Sequence, residues 1–365
     1  MFGRVAIIGL GLIGGSLGMA LRRVGLAAEV VGVGRNYENL RLAVEVGAAD
    51  WVTTDPKSGV AGAAVVVVAA PVSTVGPVIT EIAPFLSPGT VVTDVGSTKA
   101  AIVRAVEPVA AAHSFFFVGG HPMAGSEKTG VRNADPYLFE NAYYVLTPTP
   151  ATDPDALEKV RQMAEGVGAR VIKLAPEIHD FYVAAVSHLP HCVAAALVNT
   201  IGVLAEREAV LPLAAGGFRD TTRVAAGDAA LWRDILLSNR EAVLAMLGRY
   251  REVLQELADL LSAGDTAGLE EWLKKAHLLR QAVPAKSKGY LPELCEIVVT
   301  VPDEPGVIAR LAGILGDAGI NICDIEILRV REGEGGTIRL GFATTADQEE
   351  AVRLLREAGI ETRKR

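Results

Sequence analysis

The chain has 365 residues, half of them hydrophobic, which is more than one core usually serves and predicts two or three domains. Its 35 basic and 43 acidic residues give a formal net charge of -8, so no global electrostatic attraction draws it to nucleic acid or to an anionic membrane surface. We expect a protein that acts on a small molecule.

Two apolar stretches bear on targeting. Residues 1–18, MFGRVAIIGLGLIGGSLG, lack the small-residue cleavage site of an export signal. The stretch from Leu189 to Ala205 is interrupted by Pro190, His191 and Asn199, which favours a buried core helix over a membrane span. We therefore expect a cytoplasmic protein without a membrane partner.

The three cysteines predict neither a disulfide framework nor a metal site. Cys192, Cys295 and Cys323 are far apart, odd in number and without Cys-X-X-Cys or Cys/His spacing. We expect reduced thiols and no bound metal.

From Val5 to about Leu174, short β-branched runs alternate with amphipathic stretches. The candidate strands are VAIIG, EVVGVG, AAVVVVAA, TVVTDVG, FFFVGG, AYYVL and RVIKL. Continuous apolar strands are typical of a sheet covered on both faces, and helical stretches such as Asn39 to Val46 and Lys99 to Ala112 imply right-handed crossovers. The pattern predicts an α/β, Rossmann-like, doubly wound and mostly parallel sheet over residues 1–174.

From about Glu177 to Val283 the strand signal disappears, and Ala, Leu, Glu and Arg recur at helical spacing. We expect an all-helical domain over residues 175–285, with a role in substrate binding and dimerisation. Its longest apolar helix has few polar positions, so we expect other helices to cover it, those of a second subunit in a homodimer included.

A third segment follows a linker. Residues 284–292 read PAKSKGYLP, a mixture of proline, glycine and lysine that is typical of an extended connection, and we expect the linker over residues 286–293. After it, the order strand, helix, strand, strand, helix is predicted for LCEIVVTV, GVIARLAGILGDAG, INICDIEILRV, TIRLGFAT and DQEEAVRLLREAG. This indicates a small α+β domain over residues 294–365.

A glycine-rich turn follows the first strand. Gly9, Gly11 and Gly14 form GxGxxG, and Leu12 and Ile13 open the helix after it. In this context glycines let the backbone approach a pyrophosphate at a helix N-terminus. We expect a dinucleotide to bind here.

The end of the second predicted strand leaves the choice of dinucleotide open. NAD enzymes usually carry an acidic residue there, but this chain has Gly34, Arg35 and Asn36. Arg35 either meets the 2'-phosphate of NADP or lies in solvent against the adenine. The expected cofactor is therefore NAD(P).

Two polar segments, Asp94 to Lys99 and His121 to Glu127, leave the carboxyl ends of predicted parallel strands. In a doubly wound sheet those ends face the cofactor crevice. His121 is the leading catalytic candidate, because a neutral imidazole with a pKa near roughly 6.5 accepts a hydroxyl proton, as hydride removal from a carbinol carbon requires. Ser97 either orients His121 or caps the following helix, and both roles are compatible.

The helical domain carries SHLPH at residues 187–191, which we expect to open a helix, and FRDTTR at 218–223. A substrate with carboxylates needs a guanidinium and further donors in a mostly dry cleft, which Arg223 and His188 would supply. An exposed ion pair is the alternative for the arginine, and packing is the alternative for His191.

Several separated motifs together resemble the prephenate and arogenate dehydrogenase family of tyrosine biosynthesis. In chain order they are GLGLIGGSLG, DVGSTK, HPMAGSEKTG, SHLPH and FRDTTRVAAGDAALW. The resemblance covers the first two domains and implies the nicotinamide-dependent oxidative decarboxylation of prephenate to 4-hydroxyphenylpyruvate. It implies that His121 hydrogen-bonds the C4 hydroxyl, that Ser97 orients it and that Arg223 binds a substrate carboxylate.

The same resemblance extends to the surroundings of the site. His188 and Ser126 match further substrate contacts. Glu127 and Asp220 resemble the acidic residues of the family around the mouth of the site, and Trp232 resembles an aromatic wall.

The C-terminal segment resembles an ACT domain of βαββαβ type, which implies feedback by an amino acid, with tyrosine as the expected effector. The implied site lies near Asp303, Gly306 and Val307, with Asn321 of a paired domain. Backbone donors at the helix beginning after Gly306 would hold a carboxylate. The alternative is a domain that only dimerises.

Three other functions are the alternatives. Arogenate dehydrogenase, or an enzyme that uses both substrates, is not separated from the first interpretation by any of these residues. A β-hydroxyacid dehydrogenase also joins a Rossmann domain to helices but commonly uses a lysine base, and HPMAGSE argues against it. A nonenzymatic amino-acid sensor is opposed by the joint presence of His121, Ser97 and Arg223.

Overall fold

A computed structural model describes residues 1–125, 128–283, 294–302, 304–328 and 336–364. The chain divides into two compact units, Met1–Gly289 and Tyr290–Arg365. The predicted linker at 286–293 lies outside the described residues, and so do Ser126, Glu127 and Asp303.

The first unit begins with a sheet and its covering helices. Its strands are β1 Phe2–Ile8, β2 Ala27–Val33, β3 Trp51–Thr53, β4 Ala63–Val68, β5 Val91–Asp94, β6 Phe116–Pro122, β7 Tyr143–Thr147 and β8 Arg170–Lys173. The helices between them are α1 Leu12–Arg23, α2 Tyr37–Glu45, α3 Pro56–Val60, α4 Val75–Ile82, α5 Ala100–His113 and α6 Pro154–Gly166.

The eight strands form one sheet in the order β3-β2-β1-β4-β5-β6-β7-β8. All neighbours are parallel except β6 and β7, which are antiparallel. The strand order reverses between β1 and β4, which places a ligand crevice at the carboxyl ends of these strands. This confirms the doubly wound, mostly parallel fold class.

Both faces of the sheet are buried, as the continuous apolar strands predict. In β1, Val5 and Ile7 pack into the core on one face, whereas Ala6 and Ile8 pack into the core on the other. Strand β3 is not among the predicted strands, because a strand of only three residues carries too little pattern to be recognised.

Helices make up most of the remaining described part of the first unit. They are α7 Pro176–Val183, α8 Leu189–Gly202, α9 Arg207–Val210, α10 Gly216–Thr222, α11 Ala229–Ser238, α12 Arg240–Ala263 and α13 Thr266–Ala282. A π-turn, Ala184–His188, joins α7 to α8. Helix α8 begins within SHLPH, at Leu189, but it continues the preceding helical segments without a break, so SHLPH does not open a separate helix. Pro190 lacks an N–H group and crowds the preceding turn, and the wider π-turn accommodates it.

The run Pro176–Gly202 is the one helix of the described residues that is long and apolar enough to cross a membrane, and 28% of its most apolar window is buried within the chain. A core helix of a soluble protein meets the same test. Val186 is 70% exposed and Val203, just beyond α8, is 82% exposed. The described part of a single chain therefore does not supply the covering helices that the residue pattern predicts.

The second unit is an antiparallel sheet with two helices. Its elements are β9 Cys295–Val301, α14 Val307–Asp317, β10 Asp324–Leu328, β11 Gly336–Phe342, α15 Thr345–Glu357 and β12 Glu361–Lys364. The strand order is β10-β11-β9-β12, and both helices contribute leucines, such as Leu311 and Leu355, to one core. This is the βαββαβ arrangement; the residue pattern missed β12 because its sequence, ETRK, is polar.

Candidate active site

The glycine-rich turn joins β1 to α1. Gly9 has φ +96°, and a Cβ atom there would lie 2.5 Å from the carbonyl oxygen of Ala69. A Cβ atom at Gly14 would lie 2.1 Å from the oxygen of Gly9, so both positions require glycine for the turn itself. Gly11 differs, because a Cβ atom there has no neighbour within 4 Å.

The start of α1 is suited to an anion. Gly11 is its N-cap residue and provides no side-chain cap, and the first turn contains no acidic residue. The first backbone N–H groups of a helix and the positive end of its dipole attract phosphate. Open space at Gly11 together with uncapped donors fits a pyrophosphate, with Leu12 and Ile13 half-buried beside it.

At the end of β2 the structure places Arg35 in solvent. The neighbouring Asn36 has a structural role, because its side chain accepts a hydrogen bond from the Asn39 N–H and caps α2. An exposed guanidinium is compatible with either interpretation of Arg35. The choice between NAD and NADP stays open.

His121 is the last but one residue of β6, at the carboxyl end of a central strand. Its Nδ1 lies 2.8 Å from Nε2 of His179 on α7, and Nδ1 of His179 lies 2.8 Å from Oδ1 of Asp180. His179 is 1% exposed and Asp180 is 5% exposed, whereas His121 is half-buried. A chain of three side chains therefore runs from the helical part of the unit to the sheet.

Asp180 also caps α5. Its Oδ1 accepts the N–H of Lys99 at 2.7 Å, and its Oδ2 accepts the N–H of Ala100 at 2.9 Å. A carboxylate at a helix N-terminus satisfies donors that have no partner within the helix and interacts favourably with the helix dipole. Ser97 lies three residues before Ala100, so the same carboxylate fixes the chain directly after Ser97 to α7.

A buried ion pair lies directly behind His121. The Lys99 ammonium, which is fully buried, contacts a carboxylate oxygen of Asp94 and donates to the carbonyl oxygen of Gly120 at 2.7 Å. Asp94 accepts the N–H of Gly96 at 2.9 Å and that of Gly120 at 3.2 Å. The pair joins the loop after β5 to the end of β6, the two segments that carry Ser97 and His121.

His188, in the π-turn, is held by a neighbouring amide. The Asn239 Nδ2 group donates to the carbonyl oxygen of Asp180 at 2.7 Å and lies 3.2 Å from Nδ1 of His188. Since this NH2 group is a donor, Nδ1 of neutral His188 is the acceptor and Nε2 carries the proton. His188 is thereby prepared to donate a hydrogen bond.

Trp232 lies beside both histidines of the SHLPH segment. Its ring stacks on that of His191, with centroids 3.5 Å apart and planes inclined by 10°, and it meets the ring of His188 edge-on at 6.2 Å. The packing alternative for His191 is thus consistent with the structure. Trp232 forms a wall next to His188.

Helix α11 is held against the carboxyl ends of β4 and β5. Ser73 donates to a carboxylate oxygen of Asp234 at 2.7 Å, and the hydroxyls of Thr98 and Ser238 are 2.9 Å apart. Ile235 is buried in the core of the sheet on this side. Helix α11 and this edge of the sheet are therefore parts of one packed unit.

Two of the predicted substrate residues lie farther out. Asp220 on α10 and Arg223 immediately after it are both exposed. Ser126 and Glu127 lie outside the described residues. The structure thus brings His121, His188 and Trp232 together around α7 and α8. It places Ser97 in the loop after β5, the strand that pairs with β6.

The two site histidines are held neutral. Burial, the neighbouring His179, Lys99 and His188 lower the pKa of His121 well below its usual value of 6.5. Burial lowers the pKa of His188 to about 4, although Asp180 opposes the shift. Because a neutral imidazole has one acceptor nitrogen and one donor nitrogen, each ring can take a single defined role at physiological pH.

Local sequence pattern does not identify four residues of this network as site residues: His179, Asp180, Lys99 and Asn239. The one available signal was the adjacent His179 and Asp180 within the apolar run around EIHDFYV. Two polar residues there would have to find partners once buried. Their partners lie far away in the sequence, so the signal does not identify them.

Comparison with known proteins assigns the chain to a family. Residues 17–173 match the nucleotide-binding domain of prephenate dehydrogenase, residues 175–275 match its dimerization domain, and residues 296–358 match the ACT domain. A prephenate dehydrogenase of Bacillus subtilis is 36% identical over 352 residues, which are 95% of this chain and 94% of the relative. The chain belongs to the prephenate dehydrogenase family.

Solved structures of the family agree with this assignment. The prephenate dehydrogenase of A. aeolicus in complex with hydroxyphenyl propionate and NAD+ has a TM-score of 0.73 and 35% identity, and the match covers 78% of this chain and 99% of that one. An arogenate dehydrogenase of Synechocystis has a TM-score of 0.69 and 34% identity, covering 77% of this chain and all of that one. Family membership therefore leaves prephenate and arogenate both possible as substrates.

The expected effector residues lie at the start of α14 in the second unit. Gly306 has φ +93° and is the N-cap residue, and Val307 begins the helix without a side-chain cap. Asn321 is exposed and its amide donates to the Cys323 sulfur at 3.7 Å. Asp303 lies outside the described residues.

Proposed function

We propose that this member of the prephenate dehydrogenase family is a cytoplasmic prephenate dehydrogenase of tyrosine biosynthesis, which converts prephenate to 4-hydroxyphenylpyruvate and carbon dioxide. The observation that carries the proposal is the position of His121, a neutral histidine at the carboxyl end of β6 with its Nδ1 already bonded to His179. Its other nitrogen is left for a substrate hydroxyl.

The glycine-rich turn is the proposed site of NAD(P). Gly9 and Gly14 form the turn, Gly11 leaves room, and the first N–H groups of α1, near Leu12 and Ile13, would hold the pyrophosphate. Arg35 would lie near the adenosine end. When bound, the oxidised nicotinamide supplies the acceptor for the hydride that leaves the substrate.

Replacement of Gly11 tests this site without disturbing the fold. In Gly11→Ala the added Cβ atom meets no atom of the chain within 4 Å, and the extended φ of -90° suits alanine, so stability is retained. If a pyrophosphate approaches here, overpacking costs about 1–3 kcal/mol, and the KM for the dinucleotide should rise roughly 5- to 150-fold. Steady-state kinetics with varied dinucleotide measure this.

Gly248→Ala, which also adds a Cβ atom in open space but within α12, is the matched control and should leave that KM unchanged. An unaltered dinucleotide KM in Gly11→Ala would remove Gly11 from the proposed site.

His121 and Ser97 are assigned the catalytic roles. The Nε2 atom of His121 accepts the hydrogen of the C4 hydroxyl, which increases electron density on C4 as hydride leaves and the ring carboxylate departs as carbon dioxide. Ser97 orients that hydroxyl or the histidine. The product is a phenol with a pKa of about 10, so its oxygen takes this proton back from His121 at neutral pH, and His121 returns to its neutral form.

Substrate binding is assigned to the helical part of the unit. Arg223 pairs with a substrate carboxylate, and His188, with its proton on Nε2, donates a further hydrogen bond. Trp232 limits the cleft beside His188. Ser126, Glu127 and Asp220 are proposed as further contacts at the mouth of the site.

The Arg223→Gln variant should raise the KM for prephenate roughly 10- to 150-fold, because a hydrogen bond to a charged group contributes about 1.5–3 kcal/mol. We expect kcat to change less than about threefold, since the guanidinium binds substrate and transition state alike. Arg219→Gln, one turn earlier on α10 and also exposed, is the control. Equal KM values for the two variants would reject the binding role.

The proposed reaction is tested by initial rates with prephenate and with arogenate, each with NAD and with NADP, followed by the absorbance of reduced nicotinamide. Turnover of prephenate is the expected result and ranks the cofactors. Turnover of arogenate alone would make the chain an arogenate dehydrogenase with the same catalytic residues. An absence of turnover with both would contradict the proposed function.

Assembly and regulation complete the proposal. We propose a homodimer formed through the helical segment, supported by its match to a dimerization domain and by exposed apolar residues such as Val186 and Leu237, 70% and 64% exposed. Light scattering tests the dimer.

We propose that tyrosine binds the ACT domain near Gly306, Val307 and Asn321, with Asp303 nearby in sequence. Titration of the reaction rate with tyrosine tests this.

A further inference from the structure

The hydrogen-bond chain behind His121 ends at a group that can only accept. Asp180 receives the backbone N–H groups of Lys99 and Ala100 on its two carboxylate oxygens. Backbone amides are obligatory donors, so both carboxylate oxygens of Asp180 act as acceptors in these contacts. The direction of every other bond in the chain follows from this end.

The bond to Asp180 determines which nitrogen of His179 is a donor and which is an acceptor. Its Nδ1 is 2.8 Å from Asp180 Oδ1 and must carry a proton to make that bond. A neutral imidazole has one N–H group, which leaves Nε2 of His179 as an acceptor. That acceptor lies 2.8 Å from Nδ1 of His121, which must therefore be the protonated nitrogen of the catalytic ring.

Resting on the proposed function, we propose that His179 and Asp180 are positioning residues that hold His121 in the tautomer with the proton on Nδ1 and the lone pair on Nε2. The opposite tautomer would present an N–H group to the substrate hydroxyl and could not accept its hydrogen. When charge develops on His121 during hydride transfer, the His179 acceptor and the Asp180 carboxylate stabilise it.

Structural roles alone do not account for this arrangement. Capping of α5 requires Asp180 but no histidine next to it. Packing alone favours an apolar residue at position 179, since a buried imidazole costs free energy unless its nitrogens are paired. In this protein His179 is 1% exposed and both of its nitrogens are paired, one of them with the candidate base.

Two substitutions of His179 separate its role as a hydrogen-bond acceptor from the space that its ring fills. His179→Phe keeps an aromatic ring and removes the acceptor, and we expect kcat with prephenate to fall roughly 10- to 10³-fold, part of the range typical of proton transfer. The KM values for prephenate and dinucleotide should change less than about threefold. His179→Gln places an amide oxygen within reach of His121 Nδ1, and we expect it to recover at least tenfold in kcat over His179→Phe.

The tautomer can be read independently of activity by ¹⁵N NMR of protein labelled at its six histidines, with the His121 resonances assigned by their loss in His121→Asn. We expect the wild-type spectrum to show the Nδ1–H form of His121, and His179→Phe to lose it. A wild-type ring protonated on Nε2, or an unchanged kcat in His179→Phe, would overturn the inference. Absence of wild-type turnover contradicts the proposed function instead, so the two failures are distinct.

Discussion

Replacing His121 by asparagine should lower kcat with prephenate roughly 10²- to 10⁴-fold, the range typical of general base catalysis. The amide can still hydrogen-bond but cannot accept a proton from the C4 hydroxyl. The KM for the dinucleotide should stay within about twofold, because the glycine-rich turn is a separate segment of the sheet edge. Stopped-flow or steady-state rates at saturating dinucleotide measure the change.

His113→Asn is the matched control, because His113 is exposed at the last position of α5. It should retain wild-type turnover. Near-normal kcat in His121→Asn would remove His121 from the catalytic role while leaving the family assignment intact.

The pH dependence of kcat/KM gives a second view of His121. Burial, His179, Lys99 and His188 lower its pKa well below 6.5. The carboxylates of Asp94 and Asp180 contact Lys99 and His179, respectively, and not His121 itself. The base is active when neutral, so activity should hold as pH falls through 6.5 and decline only at lower pH. An acid limb centred at or above pH 6.5 would contradict this.

The sequence predicted the parts of the site that depend on local pattern. The carboxyl ends of β5 and β6 could be placed because buried parallel strands show continuous apolar runs, and this directed attention to Ser97 and His121. Gly9, Gly11 and Gly14 were placed for the same reason. In each case strand and motif are adjacent in the sequence.

The supporting residues depend on contacts between distant segments, and local pattern contains no information on them. His179 lies 58 residues from His121, and Asn239 lies 51 residues from His188. The π-turn before Pro190 was missed for a related reason, since a proline ordinarily indicates a helix start. The effect of Pro190 depends on the helical residues before it, because α7, the π-turn and α8 form one continuous run.

Lys99 shows the same limit most clearly. A lysine that follows Gly-Ser-Thr at the start of a helix resembles a surface cation or an anion ligand, but this ammonium is fully buried and paired with Asp94. Burial lowers the pKa of Lys99, while the charge and hydrogen bond of Asp94 and the charge of Asp180 oppose that shift. The ion pair exists because the ends of β5 and β6 are neighbours in the sheet.

Lys99→Met should lower the free energy of unfolding by about 3–5 kcal/mol, the cost of leaving one partner of a buried ion pair uncompensated. Methionine has a similar length, so the loss reflects the Asp94 charge rather than a cavity. Denaturant titration of the full chain measures it, and Lys275→Met, at an exposed site on α13, should stay within about 0.5 kcal/mol of wild type.

The double variant Lys99→Met with Asp94→Asn distinguishes charge from packing. Removal of the orphaned carboxylate should make the double variant more stable than Lys99→Met alone, because the amide oxygen still accepts one of the N–H groups of Gly96 and Gly120. A double variant less stable than the single one would show that the pair acts mainly through its hydrogen bonds.

Since the Lys99 charge also lowers the pKa of His121, the acid limb of folded Lys99→Met should move to higher pH. The buried pair would then contribute both to the stability of the sheet edge and to the neutrality of the base above it.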